Sequence, residues 1–264
     1  MLPASTARRG LVRAFVQIRQ DPLYRREAFE RGLQTLGYEI HGTPRGQWCS
    51  SDLLLIWNRY GQGAQYAAEA EACGATVIIA ENGYLGRDWR GEHWYALALN
   101  YHNGAGHWRP EGPERWESWN VPMAPWRSGS EIVVLQTRGI GPTDIAEPQG
   151  WSQREFEWIR ANTKFPVRMR MHPGETPCID LEYDLKDAAA VVTWGSGSAL
   201  KALLWGIPVF HGFPRWIGAA AAQPWQRRID FAHKCRLGTF QSLAWSMWTT
   251  DEIATGGPIA RLLR

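Results

Sequence analysis

The chain has 264 residues, 44% of them hydrophobic, and a formal net charge of +3. That length holds one large α/β domain or two small ones around a sizeable core, and so weak a basic bias does not by itself imply a nucleic-acid partner. The four cysteines, Cys49, Cys73, Cys178 and Cys235, are scattered without a CxxC pair, which argues against a disulfide scaffold or a zinc knuckle and fits a reducing compartment.

The N-terminus carries Arg8, Arg9 and Arg13 but no apolar run long enough for a signal peptide or a membrane span, so the expected location is the cytoplasm. Arg13–Ile18 reads as a first strand and Tyr24–Leu36 as a helix stopped by Gly37. Tyr38–Ile40 is a short second strand, and Asp52–Trp57 (DLLLIW) has the continuous apolarity of a buried parallel strand. An Ala-rich helix over Gly63–Cys73 leads to a fourth strand, Ala75–Ala80. Strands alternating with helices predict an open parallel sheet.

Residues 105–130 break that rhythm with Pro110, Pro113, Pro122 and Pro125 and few periodic apolar positions, as a connection between two halves would. The alternation then restarts with a strand at Glu131–Gln136, a helix at Ser152–Asn162, and a strand at Phe165–Met171. An apolar run from Ala190 meets the small turn Gly195-Ser196-Gly197-Ser198, followed by a helix to Trp205, Gly206 as its stop, and the strand Ile207–Phe210. Residues 216–264 read as helical and as folding back across a cleft between the halves. The expected organisation is 1–126, 127–215 and a C-terminal segment 216–264: two Rossmann-like parallel-sheet halves of α/β class facing a cleft.

Common fingerprints are missing. Arg19-Gln20-Asp21-Pro22 follows the first strand where a dinucleotide fold would place GxGxxG, and no phosphate-loop or HExxH pattern occurs. A Ser196 or Ser198 nucleophile with His211 or His233 as base would require a hydrolase elbow, but Trp194 stands where the first glycine of an elbow around Ser196 belongs. Four positive signals remain. The turn Gly195–Ser198 opens a helix, where backbone N–H groups and hydroxyls suit a phosphate. On the strand Arg168-Met169-Arg170-Met171-His172-Pro173, alternation puts Arg168, Arg170 and His172 on one face, as an anion site or as a solvated strand edge. After the fourth strand comes Glu81-Asn82-Gly83-Tyr84-Leu85-Gly86-Arg87-Asp88, where Glu81 is either a general base or a turn cap. Finally, Asn58 and the loop Asn100–Gly106 with His102 offer polar contacts at the same sheet edge. The sixteen Trp residues suit sugar rings and nucleobases, but also cores and interfaces.

Three of these features occur in a telling order: the E-x-G-Y-L turn at Glu81–Leu85, the Arg-rich strand ending in His172-Pro173, and the strand–small turn–helix–G-x-P-V unit from Val191 to Val209. In this the chain resembles the capsule polysaccharide biosynthesis family, the Kdo-transferase-like GT-B glycosyltransferases, chiefly over Val167–Phe213. The resemblance implies two Rossmann-like domains around a nucleotide-sugar co-substrate, with no other cofactor and no metal. It implies donor-phosphate roles for His172, Gly195, Ser196, Gly197 and Ser198, with Arg168 and Arg170 beside them. Catalytic roles fall to Glu81, His172 and Asp88, and acceptor contacts to Asn58, Asn82 and His102. Relatives have an acidic E-D-G turn where this chain has Asn82, and Asn cannot act as a base. Glu81 or Asp88 then does that work, or the chain is a non-catalytic nucleotide- or sugar-binding relic. Its compact form resembles phage-encoded proteins, so the acceptor hydroxyl is expected on a glycan or on a hydroxymethylated base of phage DNA.

Overall fold

A computed structural model describes residues 12–44, 46–139, 141, 144–172, 179–231 and 233–264; Arg8, Arg9, Pro173, Gly174 and Cys178, singled out above, lie outside them. The first half runs β1 (Val12–Gln17), α1 (Arg26–Thr35), β2 (Tyr38–His41), β3 (Leu53–Trp57), α2 (Gln62–Ala72), β4 (Thr76–Asn82) and β5 (Trp94–Leu99). Strands β2, β1, β3 and β4 pair in parallel. The apolar run Leu53–Ile56 is fully buried because α1 covers one face of β3 and α2 the other.

Two differences from the sequence reading matter for function. Strand β4 continues two residues past Ala80, so Glu81 and Asn82 are ladder residues opposite Ala96 and Tyr95 rather than parts of a turn. Their partner β5 is antiparallel and was not anticipated: a hairpin needs no crossover helix, so no helical period announces it.

After the short α3 (Glu114–Ser118), the second half runs β6 (Glu131–Leu135), α4 (Trp151–Asn162), β7 (Val167–Arg170), α5 (Leu181–Asp184), β8 (Ala188–Thr193), α6 (Ser198–Leu204), β9 (Val209–His211) and β10 (Gln223–Pro224). Its sheet has the order β10-β9-β8-β6-β7 and is parallel throughout. The chain then continues through α7 (Leu237–Ala244), β11 (Met247–Thr249), α8 (Thr250–Ala254) and α9 (Gly257–Leu262). Strand β11 pairs antiparallel with β5, giving the first sheet the order β11-β5-β4-β3-β1-β2. The protein is a mixed α/β molecule of two largely parallel, Rossmann-like sheets, the GT-B arrangement. Among the described residues no helix is long and apolar enough to cross a membrane.

Aromatic packing knits the connector to both halves. Trp89, Trp94, Trp116 and Trp119 meet edge to face at 5.1–5.9 Å, and Trp116 stacks on Phe240 of α7. Gly206 shows how tight this fit is. It ends α6 at φ +76°, and a Cβ there would lie 1.9 Å from the Pro125 carbonyl oxygen, against 4 Å of open space around Gly197. Gly206→Ala should therefore cost about 3 kcal/mol, through left-handed strain and the backbone overlap, while Gly197→Ala leaves stability nearly unchanged. Urea unfolding midpoints of the two variants test the contrast.

Candidate active site

In a parallel sheet, ligands collect beyond the C-terminal strand ends, where the strand order reverses and neighbouring loops diverge. The first sheet reverses between β1 and β3, the second between β6 and β8. Loops from both reversals line one cavity of about 510 Å³. From the first half come Tyr24 after β1, Trp57 at the end of β3 with Asn58 after it, and Glu81 and Asn82 at the end of β4. The second half contributes Thr137 and Arg138 after β6, His172 after β7, and Gly195–Ser198 after β8.

Glu81 is the chemically distinctive group. Its Oε1 accepts hydrogen bonds from the Tyr84 hydroxyl at 2.6 Å and the Asn103 amide at 2.8 Å, and the Gly104 amide donates to that same hydroxyl at 3.0 Å. Desolvation nevertheless dominates and pushes the Glu81 pKa from 4.5 up to about 7, with these hydrogen bonds opposing the rise. Burial and the adjoining carboxylate hold the Tyr84 phenol well above its ordinary value, so it stays a donor. A carboxyl poised near neutrality can accept a proton from a substrate hydroxyl, which is what a general base requires. The other carboxylate among the cavity's described residues, Glu147, is fully engaged: it accepts from the amides and hydroxyls of both Thr137 and Ser152 at 2.5–3.0 Å. It ties the loop after β6 to the first turn of α4.

The turn after β8 is partly self-capped. The Ser196 amide donates to Thr193 Oγ1 at 3.1 Å and the Ser198 amide to Ser196 Oγ at 3.2 Å. What it offers a ligand is the hydroxyl hydrogens and the Gly197 amide, rather than a full set of backbone donors. On the opposite wall, the Arg59 amide donates to His102 Nδ1 at 3.1 Å, which fixes the neutral ring as its Nε2–H tautomer. Arg59 itself is held by Glu71 through two 2.6 Å contacts. Asn58 sits in the left-handed region at φ +55°, and among the described residues its buried Oδ1 has no hydrogen-bond partner.

Of the residues expected from sequence, Glu81, Asn58, Asn82, His102, His172 and the Gly195–Ser198 turn meet in this cavity. Three do not line it. Arg168 and Arg170 share a face of β7 as alternation demands, but that face is covered by α5. Asp184 of α5 pairs with both guanidiniums, and Glu131 takes Arg168 as well. Asp88 is mostly exposed and paired with Arg87 and His93, which lower its pKa, Arg87 most. Sequence reasoning missed the wall residues Arg138 and Lys201. Arg138 lies in a loop without periodicity, and Lys201 reads as an ordinary exposed helix position.

Comparisons with known proteins bear on the fold. Neither a protein-family model nor a curated protein sequence matches the chain. Among solved structures, it resembles Thermosulfurimonas dismutans KpsC, beta Kdo 2,4 transferase, with a TM-score of 0.56 and 12% identity over 90% of this chain and 92% of that one. It likewise resembles Thermosulfurimonas dismutans KpsC, beta Kdo 2,7 transferase, with a TM-score of 0.56 and 13% identity over 93% and 98% of the two chains. The fold is therefore shared with these two Kdo transferases over nearly the whole length.

Two measurements test the electrostatics of Glu81. Removing the phenol donor in Tyr84→Phe takes a hydrogen bond from the charged carboxylate, so the Glu81 titration should move above about 7, read by carbon NMR of its carboxyl. In wild type the folded state holds an extra proton between pH 4.5 and 7 relative to the unfolded chain, so this group's contribution to stability falls as pH rises through that window. Glu81→Gln retains the acceptor oxygen but cannot titrate, and its Tm should vary less with pH across that range than the wild-type Tm.

Proposed function

We propose that this protein is a glycosyltransferase that moves a sugar from a nucleotide-sugar donor to a hydroxyl of a glycan acceptor. The carrying observation is the cavity between the two sheets, with a carboxyl titrating near 7 on one wall and hydroxyls and cations on the other. The fold shared with the two Kdo transferases supports the same reading.

In this reading residues 1–126 form the acceptor domain and 127–215 the donor domain, whose sheet is completed by β10, and the rest of the 216–264 segment returns to the first through α7 and β11. The donor phosphate lies against His172 and the Ser196–Ser198 turn, and the acceptor hydroxyl lies beside Glu81, with Asn58, Asn82 and the His102 loop orienting its sugar. As the acceptor oxygen bonds to the anomeric carbon, its proton passes to Glu81. The bond from that carbon to the phosphate oxygen breaks, and its electron pair leaves with the nucleotide. Donors fixed in place before the reaction stabilise the charge that develops there without having to reorganise. The fold shared with two Kdo transferases favours a glycan as the acceptor.

The first test is a thermal-shift screen against CMP, UDP, GDP and ADP. One nucleotide should raise the Tm, by mass action on the folded state, and His172→Ala should lose that shift. With the matching donor, Glu81→Gln should keep nucleotide binding but lower transfer by about 100-fold or more. Absence of a shift with every nucleotide would overturn the assignment.

A further inference from the structure

The cations around this cavity are not equivalent. Arg87 is neutralised by Asp88 at 2.9 Å. Arg138 lies on the exposed rim. Lys201 differs from both: it projects from α6, is half-buried and lines the cavity, yet among the described residues its ammonium has no ion-pair partner. Among the described residues the two wall carboxylates make no ion pair with it: Glu81 is held by Tyr84 and Asn103, and Glu147 by Thr137 and Ser152.

Its position is also specific. Gly86, at φ +131° in the first-half turn that follows Glu81, lies close by across the seam: a Cβ built on it would lie 3.6 Å from Lys201 Nζ. The ammonium thus faces the other half across the cleft without an interaction that would tie the halves together. A lysine chain held half-buried, with three donors and a full charge left unused at the mouth of a polar cavity, is arranged for an anion brought from outside.

We infer that Lys201 is an anion-recognition residue at the seam between the halves, contacting a phosphate or carboxylate of the bound ligand. It therefore determines specificity for a ligand charged at that point. The inference rests on the proposed reading only for the identity of the ligand; the anion site itself follows from the placement of Lys201. The charge could be the donor's own phosphate or a second acidic group, and the probes below separate these sources.

The experiment measures binding of CMP, cytidine and inorganic pyrophosphate to wild type, Lys201→Met and Lys201→Arg, by calorimetry with thermal unfolding as the control for folding. Methionine keeps the packing of the chain and removes the charge; arginine keeps the charge. If the anion is the donor phosphate, Lys201→Met weakens CMP about tenfold to a hundredfold, leaves cytidine unchanged, and is rescued by Lys201→Arg. If the anion is a second acidic group, CMP is unaffected and pyrophosphate binding is lost in Lys201→Met, again with rescue by arginine. Either result supports the site. Unchanged CMP and pyrophosphate binding in a folded Lys201→Met overturns it and leaves the glycosyltransferase reading standing. Pyrophosphate bound through Lys201 while no nucleotide binds wild type supports the site and overturns that reading instead. A wild type that binds neither pyrophosphate nor any of CMP, UDP, GDP and ADP overturns both.

Discussion

Arg115 fastens the connector to the C-terminal segment that completes the first sheet. Its guanidinium grips Glu252 through two contacts of 2.7 and 2.8 Å, donates to the carbonyls of Ala244 and Met247, and lies 3.9 Å over the Trp248 ring. Those partners belong to α7, β11 and α8, while Arg115 belongs to the connector. One planar fork, bidentate to carboxylate and stacked on an indole, thereby fastens the crossing segment to the returning one. Glu252 also completes the capping box of α8, accepting from the Thr249 amide while Thr249 caps its own amide. The charge on Glu252 is thus engaged on both sides, and the antiparallel β11–β5 pairing beside it closes the first sheet.

The consequence for the site is geometric. Strand β5 is hydrogen-bonded to β4, so whatever fixes β11 and β5 also fixes the strand carrying Glu81. The loop that supplies the Asn103 and Gly104 amides follows β5 directly, and Gly104 packs so closely on Ile217 of the second half that a Cβ there would lie 2.3 Å from the isoleucine Cβ. Glu81 is held from the first half, and the loop that holds it is pressed against the second. Its environment therefore belongs to the assembled pair of sheets and not to either alone.

Much of this was legible in the chain because parallel α/β structure writes itself locally. The runs Leu53–Ile56 and Val191–Val192 announce buried strands, and Gly195–Ser198 announces a helix start beyond a strand end. Those signals sufficed to bring Glu81, His172 and the Ser196 turn to one cavity. Long-range pairing left no such trace. Strand β11 is three residues long and finds its partner about 150 positions earlier, and the contact between Arg170 and Asp184 depends on how α5 lies over β7. An arginine on the expected face of a strand carries no mark of the acid that will cover it. The Trp excess was equally ambiguous by composition: most of the indoles pack the connector, the helices and the returning segment, while Trp57, Trp194 and Trp216 reach the cavity.

Burial and hydrogen bonding pull Glu81 in opposite directions, and the balance is what gives it chemistry. Three donors converge on Oε1 and the adjoining phenol, an arrangement that in a solvated loop would hold a carboxylate below its ordinary value. The surrounding protein removes enough water to reverse the sign. Had Glu81 lain in a turn beyond the strand, solvent would have reached it and the donors would have prevailed. Because β4 runs on through it to Asn82, holding it opposite Ala96 and against Tyr84, desolvation wins. The same extension puts Asn82 next along the strand, opposite Tyr95. An amide there brings no second charge beside Glu81, and a neighbouring carboxylate would have raised its pKa further still by like-charge repulsion. A lone carboxyl near neutrality is sufficient for proton transfer, so the Asn in this E-N-G sequence is compatible with a working base one residue earlier.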